Sequence, residues 1–180
     1  MWFRKGSLAM NLQKIIILGL IILIVLGLIL FFNNRRQSKS EVIWTDFVEM
    51  VEDGTIGNLN LTIYYLSPFV LTPAALSIED LRRHSLGYHI IVEGNTLEEY
   101  VEVFKQLANI ELIPVQEESR IHARMNYVFR NSRGNEIFSV AMGGRNNSLF
   151  VNGHEVEENQ ILYDIIKPFL PDDVIRELGW

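Results

Sequence analysis

The sequence predicts an α+β protein: an N-terminal transmembrane helix, then one domain with a mainly antiparallel sheet and helices packed on one face. Three observations predict this class. An uncharged apolar run lies near the N-terminus, apolar and polar residues alternate between turns from residue 120 to 156, and flanking segments carry apolar residues at helical spacing. The chain of 180 residues is expected to divide into four parts. These are a short basic tail (1–14), the transmembrane helix (15–32), a polar linker (33–43) and the domain (44–180).

The apolar run extends from Ile15 to Phe32 without a charged residue. A helix of this length spans about 27 Å, close to the hydrocarbon core of about 30 Å. Signal-peptide cores usually have about 7–15 apolar residues. Ser38 and Ser40 provide small residues for cleavage, but they follow Arg35 and Arg36. The run therefore predicts an anchor retained in the lipid bilayer, and a cleaved signal peptide is the alternative.

Charge is divided unevenly along the chain. Residues 1–40 contain six basic and no acidic residues, and the remainder contains ten basic and 22 acidic residues, a net charge of −12. Such a domain repels polyphosphate, which excludes nucleic acid as its main partner. Basic residues are equally numerous on the two sides of the apolar run, so they do not decide its orientation. The short leading tail favours a domain outside the cytoplasm.

The first half of the domain alternates helices and strands. Residues 44–51 have the apolar spacing of a helix, and 59–66 have the β-branched and aromatic content of a strand. Ser77 and Asp80 form a capping box that predicts a helix through Arg83. Residues 88–92 predict a second strand.

The second half of the domain is dominated by strands. Thr96, as the cap of a second capping box, predicts an amphipathic helix reaching Ala108. A strand is expected at 110–115, where Pro114 favours a sheet edge or a strand end. The remaining expected elements are strands at 120–130, 136–142, 148–151 and 154–156, with a hairpin turn at Asn152-Gly153, and two terminal helices beginning at Ile161 and Pro171.

Two surface features are the strongest candidates for function. The first is a basic stripe of alternating polar residues: Arg120, His122, Arg124, Asn126 and Arg130. It is typical of a solvated sheet face, or it binds an anionic ligand such as a lipid headgroup, a wall polymer or an acidic protein segment. The second is the apolar loop 67–76, which either covers the core or provides a docking or membrane-contacting surface.

No pattern of residues predicts catalysis or a cofactor. The four histidines lack the spacing of a metal site, and the paired carboxylates fall at helix starts or in loops. The chain has no cysteine, which excludes disulfides, thiolate metal sites and a cysteine nucleophile. Neither a nucleophile elbow nor a nucleotide-binding glycine loop is present. We therefore expect no enzymatic activity and no cofactor.

Three phrases of the domain, LTIYYLSP, ARMNYVFRN and FVNGHEVEENQILYDIIKPFLP, carry a resemblance. In them the chain resembles small, uncharacterised bacterial proteins that are membrane-anchored or exported. The resemblance covers most of residues 44–175. It implies an exported bacterial domain and assigns no activity and no site residue.

The sequence thus predicts a single-pass protein of the cell membrane whose extracytoplasmic domain binds another envelope protein or an anionic ligand. One alternative is an enzyme with its site on the sheet face of Arg120, His122 and Arg124. Another is a regulatory or sensory subunit of a membrane complex, in which a separate membrane protein receives the signal.

Overall fold

The structure of the protein is a computed structural model. It describes residues 45–84, 86–144 and 148–178, together with Ile22, Ile24, Val25 and Gly27. The chain separates into two compact units, Met1–Val42 and Ile43–Trp180. The fold described below belongs to the second unit.

Within the described residues, six antiparallel strands form one sheet in the order β2-β1-β3-β4-β5-β6. This confirms the predicted α+β class with an antiparallel sheet. The strands are β1 (Leu59–Tyr65), β2 (Tyr88–Val92), β3 (Ala123–Asn131), β4 (Glu136–Gly143), β5 (Leu149–Val151) and β6 (His154–Val156). The α-helices are α1 (Thr45–Glu52), α2 (Ile78–Arg83), α3 (Gly94–Glu99), α4 (Val101–Phe104), α5 (Ile161–Asp164) and α6 (Asp172–Leu178). Short 3₁₀ helices span Ile56–Asn58, Lys105–Asn109 and Lys167–Phe169.

The hairpin between β5 and β6 is built from the predicted turn. Asn152 and Gly153 both have positive φ, 47° and 85°. Two consecutive left-handed residues match the right-handed twist of the flanking strands, and asparagine and glycine adopt them at the lowest cost. The register of the last three strands is therefore fixed locally.

One face of the sheet carries the main core. Alternate residues of β1 and β3 point into it, among them Ile63 and Tyr127, which are register partners. The helix α1 contributes Phe47, whose ring lies 4.6 Å from that of Phe129 and 4.7 Å from that of Phe138. The buried Tyr127 hydroxyl donates to the Leu162 carbonyl at 2.9 Å, which ties the C-terminal helices to this face.

The opposite face of the sheet is also covered, which corrects the prediction that helices pack on one face alone. Leu81 of α2 packs with Leu66 and Ala123 in a second buried cluster, and Val70 and Leu76 of the apolar loop lie against it. Such a layer can form because the loop and the short helix both present apolar residues next to β1 and β3.

Two local predictions are wrong. The helix expected to start at Thr96 begins at Gly94 after an extended Glu93, and no side chain caps it. Its continuation is divided into α3, α4 and a 3₁₀ helix. Residues 110–115 do not form a strand, since only Pro114 makes an isolated bridge. The two bonds of this bridge are made by the flanking residues Ile113 and Val115, so pairing with β6 is limited to one bridge and no ladder forms.

The predicted membrane anchor at 15–32 lies outside the described residues, apart from four helical positions at 22, 24, 25 and 27. Among the described residues, none of the helices combines the length and the apolar character that crossing a bilayer requires.

Candidate functional site

A network of polar side chains occupies the face of β3 beneath α2. Asn126 is fully buried; its amide nitrogen donates to the Val140 carbonyl at 2.8 Å, and its oxygen accepts from Arg82 Nε at 2.8 Å. Arg82 and Arg130 each place a guanidinium nitrogen 2.7 Å from the same Glu136 oxygen. The network thus satisfies a buried amide and joins α2 to β3 and β4.

The shared carboxylate predicts a pH-dependent contribution to stability. Burial opposes ionisation of Glu136, but hydrogen bonds and charges of Arg82 and Arg130 outweigh it and lower the pKa of Glu136. A lowered folded-state pKa stabilises the protein above the unfolded pKa of about 4.3, and this stability is lost as the pH falls through the folded-state pKa. Glu136→Gln is expected to cost about 1 kcal/mol at pH 7, because the carboxylate is partly exposed. The difference from wild type should shrink towards zero as the solution is acidified.

Urea unfolding of both proteins at a series of pH values measures this difference. Glu102→Gln is the matched control, because it removes the exposed ion pair between Glu102 and Lys105 (2.6 Å). The control is expected to change stability by less than about 0.5 kcal/mol. A cost of Glu136→Gln that stayed constant from pH 7 to pH 3 would contradict the role given to the two arginines.

The apolar loop is held by two residues of the basic stripe. Arg124 donates from one guanidinium nitrogen to the carbonyls of Val70 (2.9 Å) and Ser67 (3.3 Å). His122 Nδ1 accepts from the backbone N–H of Leu76 at 3.0 Å, and its Nε2 lies 3.1 Å from the Arg124 guanidinium. Both ends of the loop are therefore attached to the start of β3.

The structure does not gather the five residues of the stripe into one exposed surface. Arg120 is exposed and precedes β3, whereas Asn126 is buried beneath Arg82. His122 and Arg124 contact each other and hold the loop, and Arg130 pairs with Glu136. These contacts give the polar side chains of this sheet face a structural role. An anionic ligand at these residues stays a prediction.

A cleft of about 270 Å³ lies at the end of the sheet where β3 begins. Its lining includes Arg124, a permanent cation, and Glu177, a carboxylate that could accept a proton. The Tyr65 hydroxyl donates to the Glu177 carboxylate, and burial together with this hydrogen bond raises the pKa of Tyr65. Arg120 and His122 do not line the cleft. The cleft therefore collects only one of the three residues that the enzyme hypothesis requires.

Metal-binding side chains are also dispersed. In the part of the chain that the structure describes, no three histidine, aspartate or glutamate side chains come close enough to hold a metal ion. His154 instead lies 3.4 Å from Glu118.

Among the residues that the structure describes, the most exposed apolar side chains lie at the β2 edge of the sheet and in the apolar loop. Tyr88 is 68% exposed and Ile91 is 64% exposed, although both belong to a strand. Leu86, just before β2, is 61% exposed, and Phe69 and Leu71 project from the loop. An open groove of about 420 Å³ begins beside Ile91. Exposed apolar residues on a sheet edge are typical of a protein-binding surface.

The backbone of β2 has hydrogen-bonding groups directed away from the sheet. The Leu66 N–H donates to the Arg124 carbonyl of β3. Because the direction of the backbone groups alternates along a strand, the N–H and C=O groups of Tyr65 and Ile63 point toward β2. Their register partners are Tyr88 and Ile90. The N–H and C=O groups of the intervening residues, at positions 89 and 91, therefore point outward. No described segment pairs with this edge.

The other edge of the sheet is covered. A segment around Pro114 runs along β6, and Ser119 donates from its backbone N–H and its hydroxyl to the buried Glu155 carboxylate. Its backbone contacts are the Pro114–Val156 bridge, Val115 N–H to the Glu155 carbonyl (3.0 Å) and Glu157 N–H to the Ile113 carbonyl (2.8 Å). The two edges of the sheet thus differ: the segment around Pro114 covers the β6 edge, whereas no described segment pairs with the β2 edge.

Residues 15–88 match the family model described as FtsH Extracellular. The match indicates a membrane-associated bacterial protein with an extracytoplasmic domain, and it names no activity. At that level it agrees with the predicted resemblance to membrane-anchored or exported bacterial proteins and with the predicted location. Comparison with curated proteins and with solved structures found no match.

The matched segment covers about two fifths of the chain. It begins at the first residue of the predicted anchor and continues through α1, β1, the apolar loop and α2 to the first residue of β2. The strands β3 to β6 and the C-terminal helices lie beyond it. The exposed loop and the start of the open edge therefore fall within the matched segment, whereas the basic stripe does not.

Sequence reasoning did not identify the β2 edge as a candidate site. The segment YHIIV contains no lysine, proline or other residue that normally protects a sheet edge. This composition could have indicated a binding edge. It does so only if β2 is known to lie at the edge of the sheet, and that position depends on pairing between strands distant in the sequence.

Proposed function

We propose that this chain is a membrane-anchored, non-enzymatic interaction domain of the bacterial cell envelope. Its partner is a protein that binds at the outer edge of β2. The location is supported by the match of residues 15–88. The observation that carries the proposal is the open β2 edge, where Tyr88 and Ile91 are exposed and backbone groups point outward.

A partner strand placed along β2 would gain two kinds of contact. Its backbone would bond to the outward N–H and C=O groups, and its side chains would cover exposed apolar residues on both faces of the sheet. Tyr88 lies on the face of the main core and Ile91 on the face of α2, because successive strand residues point to opposite sides. Strand addition is therefore the binding mode that this edge supports best.

Photo-crosslinking in intact cells tests the proposal. A photoreactive amino acid at Ile91 of the full-length chain is expected to give one discrete adduct, which mass spectrometry identifies. The matched control is Ile113, which is also an exposed isoleucine but lies on the segment that covers β6. We expect the Ile113 position to give at least tenfold less of that adduct.

Equal labelling from both positions, or no adduct from Ile91, would count against binding at the β2 edge.

The proposal that the domain is not an enzyme is tested separately. It would be overturned if the purified chain turned over a substrate and if the substitution Glu177→Gln, in the cleft, abolished that turnover.

A further inference from the structure

We infer that the partner at the β2 edge is a second copy of this chain, paired antiparallel through β2 around a twofold axis at Ile91. The inference rests on the proposed function, since it names the partner of the same edge.

The backbone geometry allows this register. The groups at positions 89 and 91 point outward, and Glu93 continues the alternation with extended angles (φ −77°, ψ 156°). An antiparallel copy centred on Ile91 sets this residue opposite Ile91 of the second copy, so that the two exchange a pair of hydrogen bonds. Position 89 then lies opposite position 93 of the second copy. The Glu93 carbonyl already accepts from Thr96 and Leu97 of its own chain, so its N–H supplies the further bond.

The side chains are complementary in the same register. His89 lies beside Glu93 of the second copy at both ends, where an imidazole N–H can donate to a carboxylate. Ile90 lies beside Val92 of the second copy, and the two Ile91 side chains meet at the axis. When two copies of the segment HIIVE are paired antiparallel, each histidine therefore lies opposite a glutamate and each apolar residue opposite an apolar residue.

Charge explains why the copies would run antiparallel. Residues 41–180 carry a net charge of −12, so two copies repel each other wherever acidic groups meet. A parallel pairing in equal register sets the two Glu93 carboxylates side by side. The antiparallel register separates them by about 13 Å along the strands, and β2 itself contains no charged residue.

Attachment to the same membrane favours pairing with a second copy of the chain, even though a five-residue strand edge is a small surface. Two chains held in one membrane face a high effective concentration of each other, so a short strand pairing can form without a large interface. The exposed side chains of Leu86 and Tyr88 add apolar area beside the pairing.

Disulfide trapping of the full-length chain in bacterial membranes tests the inference. The chain has no cysteine, so a single introduced cysteine can link only to another chain. In a hydrogen-bonded antiparallel pair the Cα atoms lie about 5.5 Å apart, within the range of about 4.4–6.8 Å that a disulfide spans. Ile91→Cys under mild oxidation is expected to give a dimer of twice 20.8 kDa on a non-reducing gel.

Three controls fix the edge and the register. Ile113→Cys, at the covered edge, is expected to give at least tenfold less dimer. His89→Cys alone should not link to itself, because the two positions lie about 13 Å apart along the strands. Co-expressed His89→Cys and Glu93→Cys chains should link to each other.

The outcomes separate this inference from the proposed function. No dimer from Ile91→Cys, with a different protein in the Ile91 photo-adduct, would overturn the second copy and leave the binding edge standing. An absence of product in both experiments would overturn both. Equal linking from Ile91→Cys and Ile113→Cys would mean random collision and would also overturn the inference.

Discussion

Phe129→Ala is expected to lower the free energy of unfolding by about 3–5 kcal/mol. The Phe129 ring is fully buried at the centre of an aromatic cluster. Its neighbours are the rings of Phe47 at 4.6 Å, Phe104 at 5.5 Å, Phe138 at 6.0 Å and Tyr127 at 6.2 Å. Truncation leaves a cavity bounded by rigid rings that cannot collapse into it. Domains are typically stable by about 5–15 kcal/mol, so this loss approaches the lower end of that range.

Urea unfolding followed by tryptophan fluorescence or circular dichroism measures this loss. Phe69→Ala is the matched control, because Phe69 is 77% exposed at the tip of the apolar loop. It is expected to change stability by less than about 0.5 kcal/mol. Similar costs for the two substitutions would mean that the aromatic cluster is not the centre of the core.

Gly94→Ala is expected to cost about 3 kcal/mol, at the upper end of overpacking effects. A Cβ at position 94 would overlap the carbonyl group of Gly57, lying 2.6 Å from its carbon and closer to its oxygen. It would also lie 2.8 Å from the Leu59 carbonyl oxygen. These are backbone atoms of the segment that leads into β1, so no side-chain rotation relieves the overlap. The start of α3 must move away from β1 instead.

Gly134→Ala separates this overlap from an ordinary glycine effect. Gly134 has φ +81° and open space where a Cβ would be, so alanine there meets only the left-handed backbone cost of about 1–2 kcal/mol. Thermal or urea unfolding of both variants gives the comparison. If Gly94→Ala cost no more than Gly134→Ala, close packing of α3 on the segment before β1 would not limit stability.

Features that are determined by residues close together in the chain could be predicted from the sequence. The capping box of Ser77 and Asp80 is present, with the Asp80 N–H donating to the Ser77 hydroxyl at 3.1 Å. The β5–β6 hairpin follows from the left-handed preference of Asn152 and Gly153. In both cases the deciding contacts lie within four residues of each other in the chain.

Local patterns failed where a competing contact decided the outcome. Thr96 and Glu99 match a capping box, but the helix begins two residues earlier, at Gly94, where the backbone approaches Gly57 closely. Ile110 and Leu112 have the apolar character of a strand, yet they pack against the core without forming a ladder. Apolar content alone does not distinguish a strand from a segment that only covers the core.

The candidate site could be predicted only in part. The alternation through β3 correctly placed Arg124 and Asn126 on the face away from the main core. It did not reveal that α2 and the apolar loop cover that face, so that Asn126 is buried. The apolar residues Val70, Leu76 and Leu81 were the available signal for a second covering layer. Whether a strand lies at the edge or in the centre of a sheet depends on its pairing partners. These partners can be far away in the chain, and a single sequence does not identify them.

The segment around Pro114 that covers β6 has a consequence for assembly. A sheet that exposes two bare margins can recruit neighbours without limit, and fibrils grow in that way. Here a proline-containing strap closes one margin of the sheet, and in the described part of the molecule the margin at β2 stays open to a strand neighbour. In the inferred pairing about a twofold axis, the β2 margins of both molecules are occupied by each other, so growth ends at a dimer.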